Sequence, residues 1–191
     1  MKAVVFIIGT NGVGKSTLAR SIMDYYGGPI LEEEQVVYAR NGRVAFAGSY
    51  NSKFGGVDRL KNENGTTGTG ALAGVVEKGL RNADTIFCEG SYMDTFGLNL
   101  SNALFKGDRA LVVSLYADGL ALYNRLQARS AGQRGDGKRD YNKILQKQKR
   151  TMVAARKWAS IGVPVLQFDT SKVSVEAIRD AVLCRLQKLE K

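Results

Sequence analysis

One nine-residue run constrains what this chain can fold into more than any other feature. The run reads Gly9, Thr10, Asn11, Gly12, Val13, Gly14, Lys15, Ser16, Thr17. Its first eight residues fit the spacing G-x-x-x-x-G-K-[ST], with an apolar, β-branched segment before the run and apolar residues at helical spacing after it. Glycines allow backbone N–H groups to curl around an anion, and the start of a helix adds positive potential. The sequence therefore predicts a phosphate-binding P-loop between a buried strand and a helix.

Two side chains of this loop are typical of contacts with a nucleoside triphosphate. Lys15 is expected to reach the β- and γ-phosphates, and the Ser16 hydroxyl is expected to take a ligand position on Mg²⁺. Residues 9–17 are therefore predicted to bind the nucleotide, with a magnesium ion beside its phosphates.

Composition excludes several kinds of chemistry. The 191 residues include no histidine, which rules out histidine-based zinc sites, Ser-His-Asp triads and acid–base catalysis by imidazole. The two cysteines, Cys88 and Cys184, are too few for a disulfide framework, so no disulfide partner is expected. No apolar run approaches the ~20 residues of a membrane span, and the amino-terminal residues lack a signal-peptide layout. We therefore expect a cytoplasmic protein without a membrane partner.

Positive charge is concentrated in one segment. The chain has a formal net charge of +10, and residues 125–157 hold eleven basic residues against two acidic ones, a local charge of +9. Part of this excess is typical of a solvated basic helix, but its concentration predicts that one face binds a polyanion. The basic residues are Arg125, Arg129, Arg134, Lys138, Arg139, Lys143, Lys147, Lys149, Arg150, Arg156 and Lys157.

Strands and helices alternate along the chain. The alternation predicts an α/β fold, a three-layer α/β/α sandwich around a parallel five-stranded sheet, formed by a single domain over residues 1–191. Apolar strand patterns occur at residues 3–8, 30–31, 85–88, 110–116 and 163–168. Helices are predicted at residues 69–82, at about residues 94–105, and after the basic segment 130–140, where a long helix is expected to end at about Ser160 or Ile161.

Two segments depart from this alternation. Asn41-Gly42 is a favoured two-residue hairpin turn between strand-like runs, and it predicts a β-hairpin inserted at about residues 35–48. Residues 130–140 are basic and contain three glycines, which predicts a mobile lid.

Charged residues at the ends of these elements are candidates for the chemistry. Glu89 follows the strand predicted at residues 85–88, and a carboxylate at that edge of the sheet is expected to hold Mg²⁺ or its water ligands. Arg125 and Arg129 are four residues apart on one helix face before the lid. Guanidinium groups there suit the negative charge that spreads over a transferring phosphoryl group.

An acceptor hydroxyl also needs a group that takes or orients its proton, commonly a carboxylate. Asp58 follows two glycines that allow close approach to a substrate, and basic residues surround it. The alternative is the run Glu32, Glu33, Glu34, which follows the second predicted strand. We favour Asp58 for its basic neighbours, Lys53, Arg59 and Lys61.

With these residues the chain resembles P-loop kinases of the nucleoside monophosphate and polynucleotide kinase group. The resemblance rests on residues 9–17, on Glu89-Gly90, on residues 117–129 and on Phe168-Asp169-Thr170-Ser171. It implies that Arg125 covers the adenine or the phosphates, that Arg129 touches the transferred phosphoryl group and that the 168–171 turn passes the adenine.

The acceptor motifs depart from that group. The chain reads Glu89-Gly90-Ser91-Tyr92 where adenylate kinases have an Asp-Gly-[FYW]-Pro-Arg pattern, and it has no Asp-Arg-Tyr of thymidylate kinases. Gly48-Ser49-Tyr50 and residues 55–60 instead resemble small phage kinases, among them the 5-hydroxymethyluracil DNA kinases. That resemblance implies DNA modification in the cytoplasm of an infected host cell.

The sequence thus predicts an ATP- and Mg²⁺-dependent kinase with Lys15, Asp58, Arg125 and Arg129 as catalytic residues, and with DNA or a nucleotide bound through the basic 125–157 face. A soluble deoxynucleoside or nucleoside monophosphate kinase is the alternative. A guanine-nucleotide switch is disfavoured, because residues 142–145 lack the aspartate of an Asn-Lys-x-Asp motif.

Overall fold

The computed structural model describes residues 2–33, 35–50, 56–57, 60, 69–90, 93, 110–130 and 140–189. This part of the chain contains seven strands and five helices, and the predicted alternation is confirmed. In chain order they are β1 (Ala3–Ile8), α1 (Lys15–Tyr25), β2 (Pro29–Glu33), β3 (Val36–Ala39), β4 (Val44–Ala47), α2 (Thr69–Asn82), β5 (Thr85–Glu89), β6 (Ala110–Tyr116), α3 (Gly119–Ser130), α4 (Tyr141–Ser160), β7 (Val165–Asp169) and α5 (Val175–Leu189).

The seven strands form one mixed sheet in the order β2-β3-β4-β5-β1-β6-β7. Strand β1 lies between β5 and β6 and is parallel to both, β4 is parallel to β5, and β7 is parallel to β6. The pairings of β2 with β3 and of β3 with β4 are antiparallel. The sheet is therefore larger than the five-stranded parallel sheet that the sequence predicts, and it is mixed in direction.

The hairpin explains this difference. Strands β3 and β4 pair with Val36 opposite Ala47, around a turn in which Gly42 has φ +68°. The hairpin is present as predicted, but it is not an insertion beside the sheet, because β4 pairs along β5. The strand predicted at 30–31 becomes β2, an exposed strand at the edge of the sheet. Each tight turn reverses the chain, so β2, β3 and β4 alternate in direction.

The two faces of the sheet carry separate hydrophobic cores. Side chains alternate along a strand, and β1 is buried along its whole length. Val5 and Ile7 join a cluster with apolar residues of α1 and α5, whereas Phe6 joins one with residues of α2 and α4. The ring centroids of Phe6 and the buried Trp158 of α4 lie 5.0 Å apart. Helices therefore pack on both faces, which leaves the carboxyl ends of the parallel strands as the edge where a ligand is expected.

Helix α2 and the end of α4 lie where the sequence predicts them, at residues 69–82 and at Ser160. The helix predicted at residues 94–105, the lid between 131 and 139, and Asp58 lie outside the described residues. None of the described helices combines the length and the apolar character that crossing a membrane requires.

Candidate functional site

The P-loop connects β1 to α1 at the carboxyl edge of the parallel strands. Gly12 and Gly14 have φ angles of +87° and +95°, in the left-handed region that glycine adopts without strain. Gly14 is the N-cap of α1, and no side chain caps the helix there. The first N–H groups of α1 are therefore suited to an anion, and the helix dipole adds to the attraction.

Lys15 folds back across the loop that precedes it. Its side chain is buried, and Nζ donates hydrogen bonds to the carbonyl oxygens of Gly9 at 2.9 Å and Thr10 at 3.2 Å. These bonds hold the ammonium group over the loop. The P-loop pattern predicts that the β- and γ-phosphates of a nucleotide lie beside this ammonium group.

Ser16 and Glu89 come into direct contact although they are distant in sequence. Strand β5 pairs with β1 so that Glu89 lies opposite Ile7, which brings the end of β5 next to the start of α1. The Ser16 Oγ donates a hydrogen bond to Glu89 Oε1 at 2.9 Å, and Glu89 is 2% exposed. A hydroxyl and a carboxylate beside a phosphate site are the oxygen ligands that Mg²⁺ takes together with phosphates. The pair therefore fits the magnesium site that the sequence predicts.

Gly56 supports Glu89 from a segment that is remote in sequence. Its φ is +84°, and a Cβ at this position would lie 2.5 Å from Glu89 Oε1 and 2.7 Å from Glu89 Cδ. The glycine pair that ends at Gly56 suggests close approach to a substrate, whereas in the fold Gly56 approaches the Glu89 carboxylate. Gly48 in turn packs on Gly56, since a Cβ added to Gly48 would lie 2.9 Å from the Gly56 Cα. The backbone and the carboxylate of Glu89 therefore leave no room for a side chain at Gly56, and Gly56 leaves none at Gly48.

A cavity of about 250 Å³ lies beside the P-loop. Arg125 and Arg129, both on α3, line it together with Gly12 and Gly14, so the structure brings the predicted arginine pair to the predicted loop. Apolar side chains provide much of the remaining wall, namely Val13, Leu18, Leu115, Val173, Val175 and Ile178. Apolar side chains combined with a few polar groups are the usual lining of a small-molecule site.

Arg125 connects α3 to the turn that follows β7. Its Nη1 donates to Thr170 Oγ1 at 3.0 Å, and its Nη2 donates to the Thr170 carbonyl oxygen at 2.9 Å. Two parallel bonds use the planar fork of the guanidinium group and fix its orientation. Thr170 also lines the cavity, so this contact shapes one wall of it.

Two further interactions hold the elements that carry Arg125 and Thr170. The Gln148 side chain of α4 accepts from the Ala117 N–H at 3.2 Å and donates to the Ala117 carbonyl at 2.9 Å, which fixes the chain just before α3. Asp169 accepts from the Ser171 N–H at 3.0 Å and from the Ser171 hydroxyl. The Ser171 hydroxyl bond is the main reason that the pKa of Asp169 lies below its ordinary value.

The candidates for the proton acceptor are only partly described. Asp58 and Glu34 lie outside the described residues. Glu32 and Glu33 are both exposed on β2, and Glu32 also lines a second cavity together with Arg20 and Tyr50. Sequence reasoning gave Arg20 no role, although it stands one helical turn after Ser16 on the P-loop helix.

The basic residues of α4 form an exposed face. The helix contains six basic residues and no acidic one, and the buried side of the helix carries Ile144, Ala155 and Trp158. Five of the basic side chains are exposed and one is half-buried. We call these residues the α4 basic face: Lys143, Lys147, Lys149, Arg150, Arg156 and Lys157.

Comparison with protein-family models finds no match, and comparison with curated protein sequences finds none either. Solved structures do resemble the chain. The YorR protein from Bacillus subtilis, in complex with phosphorylated GDP, matches with a TM-score of 0.59 at 15% identity, over 97% of this chain and 96% of that one. An unliganded sugar kinase from a Janibacter species matches with a TM-score of 0.56 at 13% identity, over 98% and 95%.

A deoxyadenosine kinase from M. mycoides, with dCMP and dCDP bound, matches with a TM-score of 0.52 at 13% identity, over 97% of this chain and 99% of that one. At such identities the likeness shows the fold alone. The chain therefore has an α/β fold similar to that of these proteins, and its own Lys15, Ser16 and Glu89 lie at the carboxyl edge of the parallel strands, where the sequence predicts a phosphate and metal site.

Proposed function

We propose that this protein is a phosphotransferase that moves the γ-phosphoryl group of ATP to a hydroxyl group of a nucleoside or nucleotide. One observation carries the proposal: the buried Lys15 ammonium lies over the P-loop, next to the hydrogen-bonded pair of Ser16 and Glu89. A buried cation over a ring of backbone N–H groups, with a carboxylate nearby, suits a triphosphate with a bound divalent cation.

The donor nucleotide would span the loop and the cavity beside it. Its phosphates would lie on the N–H groups at the start of α1, and its nucleoside would enter the cavity of about 250 Å³ that Arg125 and Thr170 line. Arg129 lines the same cavity and would neutralise charge on the transferring group. A bound Mg²⁺, held by Ser16 and Glu89, would supply further neutralisation of the phosphate oxygens.

The transfer step needs little covalent chemistry from the protein. A bond forms between the acceptor oxygen and the γ-phosphorus while the bond from that phosphorus to the β–γ bridging oxygen breaks, and ADP leaves. The acceptor proton would pass to a carboxylate, for which we propose Asp58, with Glu32 as the described alternative. The work of the site is to position the reactants and stabilise their charge.

The structural neighbours support this class. A sugar kinase and a deoxyadenosine kinase share the fold, and the YorR complex contains a phosphorylated guanine nucleotide. Two of these proteins are kinases and the third binds a phosphorylated nucleotide. Both facts agree with the phosphoryl transfer that we propose for Lys15, Ser16 and Glu89.

For the acceptor we propose a 5-hydroxymethyluracil base within phage DNA, with a free deoxynucleoside or nucleoside monophosphate as the second candidate. The α4 basic face supports the DNA acceptor, because clustered Lys and Arg side chains replace the counterions of a phosphate backbone. The cavity that Glu32, Arg20 and Tyr50 line supports an acceptor of small size.

Parallel transfer reactions test both the class and the acceptor. Radiolabelled ATP is offered with mononucleosides, mononucleotides, ordinary DNA oligonucleotides and oligonucleotides that contain 5-hydroxymethyluracil. The proposal predicts labelled product in at least one reaction, and its loss in Lys15→Ala. A DNA acceptor also predicts activity that falls steeply between low and physiological salt. Absence of labelled product from every acceptor would overturn the proposed function.

A further inference from the structure

A second cavity, of about 370 Å³, lies between α1 and the strands β2 and β3. Among the described residues, its polar lining side chains are Arg20, Asp24, Glu32 and Tyr50. None of its described lining residues also lines the cavity beside the P-loop, and its volume falls in the range of about 300–1,000 Å³ that is usual for small-molecule sites. A nucleotide bound at the P-loop therefore leaves this cavity to another group.

Two residues that line the cavity, Arg20 and Tyr50, lie near the pair of Ser16 and Glu89. Arg20 follows Ser16 by one helical turn on α1, so both side chains stand on the same helix face. The pKa of Tyr50 is raised mainly by burial of its hydroxyl and also by the negative charge of Glu89. Tyr50 therefore lies within electrostatic range of the carboxylate that holds Ser16.

Tyr50 presents both an aromatic face and a polar atom. Its ring packs edge to face on Phe46 at a centroid distance of 5.9 Å, and the Arg20 guanidinium carbon lies 5.9 Å from its ring centroid. Its hydroxyl oxygen is buried and has no hydrogen-bond partner within the part of the chain that the structure describes. A buried hydroxyl without a partner is costly, and a ligand that bonded it would remove that cost.

Resting on the proposed kinase function, we propose that this cavity binds the acceptor through its uncharged nucleoside part, with no phosphate group inside the cavity. Within the part of the lining that the structure describes, Arg20 supplies one positive charge, and Asp24 and Glu32 supply two negative ones. A net negative lining repels a phosphate but accepts hydrogen bonds from the hydroxyl and amine groups of a nucleoside. Tyr50 and Glu32 are the specificity-determining residues for this acceptor.

Two kinds of acceptor present an uncharged nucleoside to the cavity: a free nucleoside and a nucleoside that is turned out of a DNA strand. Both would bring an uncharged ring into the cavity. In the DNA case the phosphates would remain outside, where the α4 basic face or other surface cations could bind them.

Calorimetry in the presence of Mg²⁺ and a non-hydrolysable ATP analogue tests the proposal. The probes are the four common deoxynucleosides, 5-hydroxymethyldeoxyuridine, the 5′-monophosphates of all five, and an oligonucleotide that contains 5-hydroxymethyluracil. The variants are Glu32→Gln and Tyr50→Phe, and the matched controls are Glu77→Gln and Tyr25→Phe, because Glu77 and Tyr25 are exposed residues outside the cavity.

We expect at least one nucleoside to bind more tightly than its monophosphate, or the oligonucleotide to bind where free nucleosides do not. Each cavity variant should weaken that binding about tenfold, while the ATP analogue and both controls behave as wild type. Tyr50→Phe should also leave the unfolding temperature equal or higher, since it removes an unpartnered hydroxyl. If Glu32 and Tyr50 only supported the fold, their variants would not bind the acceptor more weakly while keeping the stability of the wild type.

Three results would overturn the inference: tighter binding of monophosphates than of nucleosides, acceptor affinity in both cavity variants equal to that in the controls, or no binding of any probe. Its failure is distinct from failure of the proposed function. If radiolabelled phosphate reaches an acceptor with an unchanged KM in Glu32→Gln and Tyr50→Phe, the kinase stands and only the cavity assignment fails.

Discussion

The Ser16 hydroxyl and the Glu89 carboxylate are joined by a hydrogen bond of 2.9 Å, although 73 residues separate them in sequence. The bond links the first turn of the P-loop helix to the end of the neighbouring parallel strand. It arises because β5 pairs beside β1, which brings both ends to one edge of the sheet. Changes at Glu89 are therefore expected to act on phosphate chemistry rather than on folding alone.

Glu89→Gln tests the metal role of this pair. The amide oxygen can still accept from Ser16, so the free energy of unfolding should stay close to that of the wild type. The negative charge is lost, and we expect phosphoryl transfer to fall about 100-fold and to require more Mg²⁺. A magnesium titration of kcat, with Glu77→Gln as the exposed control, measures this. If the magnesium requirement is the same as in the wild type, Glu89 does not help to bind the metal ion.

Gly56→Ala tests the packing that holds Glu89. The new methyl group would meet the Glu89 carboxylate at 2.5 Å and would force a residue with φ +84° into strain. We expect a loss of about 1–3 kcal/mol in the free energy of unfolding, together with reduced transfer activity. Chemical denaturation measures the former.

Gly74→Ala on α2 is the matched control for this change. Nothing lies within 4 Å of the added methyl group, and Gly74 stands inside a helix. Alanine there should stabilise the protein by about 0.5–1 kcal/mol. Equal effects of the two substitutions would contradict the close approach of Gly56 to Glu89.

Arg125→Lys tests the contact with Thr170. Lysine keeps the positive charge but lacks the planar fork that bonds both the Thr170 hydroxyl and its carbonyl. We expect the Kd for ATP to rise about tenfold, since one wall of the donor cavity loses its fixed geometry. Equilibrium binding measures this, with the exposed Arg81→Lys as control. Wild-type affinity in Arg125→Lys would show that the fork is not needed.

Asp169 predicts a pH dependence of stability. Its pKa is lower in the fold than the ordinary 3.8, mainly through the Ser171 hydroxyl bond, so the carboxylate stabilises the folded state when it is ionised. The stabilisation by ionised Asp169 is fully present above the pKa that this residue has in the unfolded chain. It is lost as the pH falls through the lower pKa that the residue has in the fold. Asp169→Asn should therefore cost stability at neutral pH, and its difference from wild type should shrink as the pH falls below 3.8 and through the lower pKa of the folded state. Thermal unfolding across pH measures this, and a constant difference would contradict it.

The features that sequence reasoning predicted best are local or follow from sheet geometry. The P-loop is specified within nine residues, and the Ser16–Glu89 contact follows once β5 is recognised as a parallel strand next to β1. The Asn41-Gly42 turn likewise specifies its hairpin. Neither the motif nor the turn shows which strand of the hairpin joins β5, because strand order depends on packing of distant segments.

The features that sequence reasoning missed are contacts between remote segments. The sequence predicts that Gly56 allows close approach to a substrate, whereas the fold places it against Glu89. Tyr50 and Arg20 meet only because the chain after β4 returns over α1. No local pattern marks these residues, since their importance lies in neighbours that the sequence does not bring close.

The binding of magnesium-bound ATP by wild type and Lys15→Ala, measured by calorimetry on folded protein, tests the central claim most directly. Lys15 places a buried cation over the P-loop through its bonds to Gly9 and Thr10. We predict one ATP per wild-type molecule and a loss of affinity of at least about 100-fold in the variant, with phosphoryl transfer falling in parallel. ATP affinity that is equal in the two proteins, or absent from both, would contradict the account.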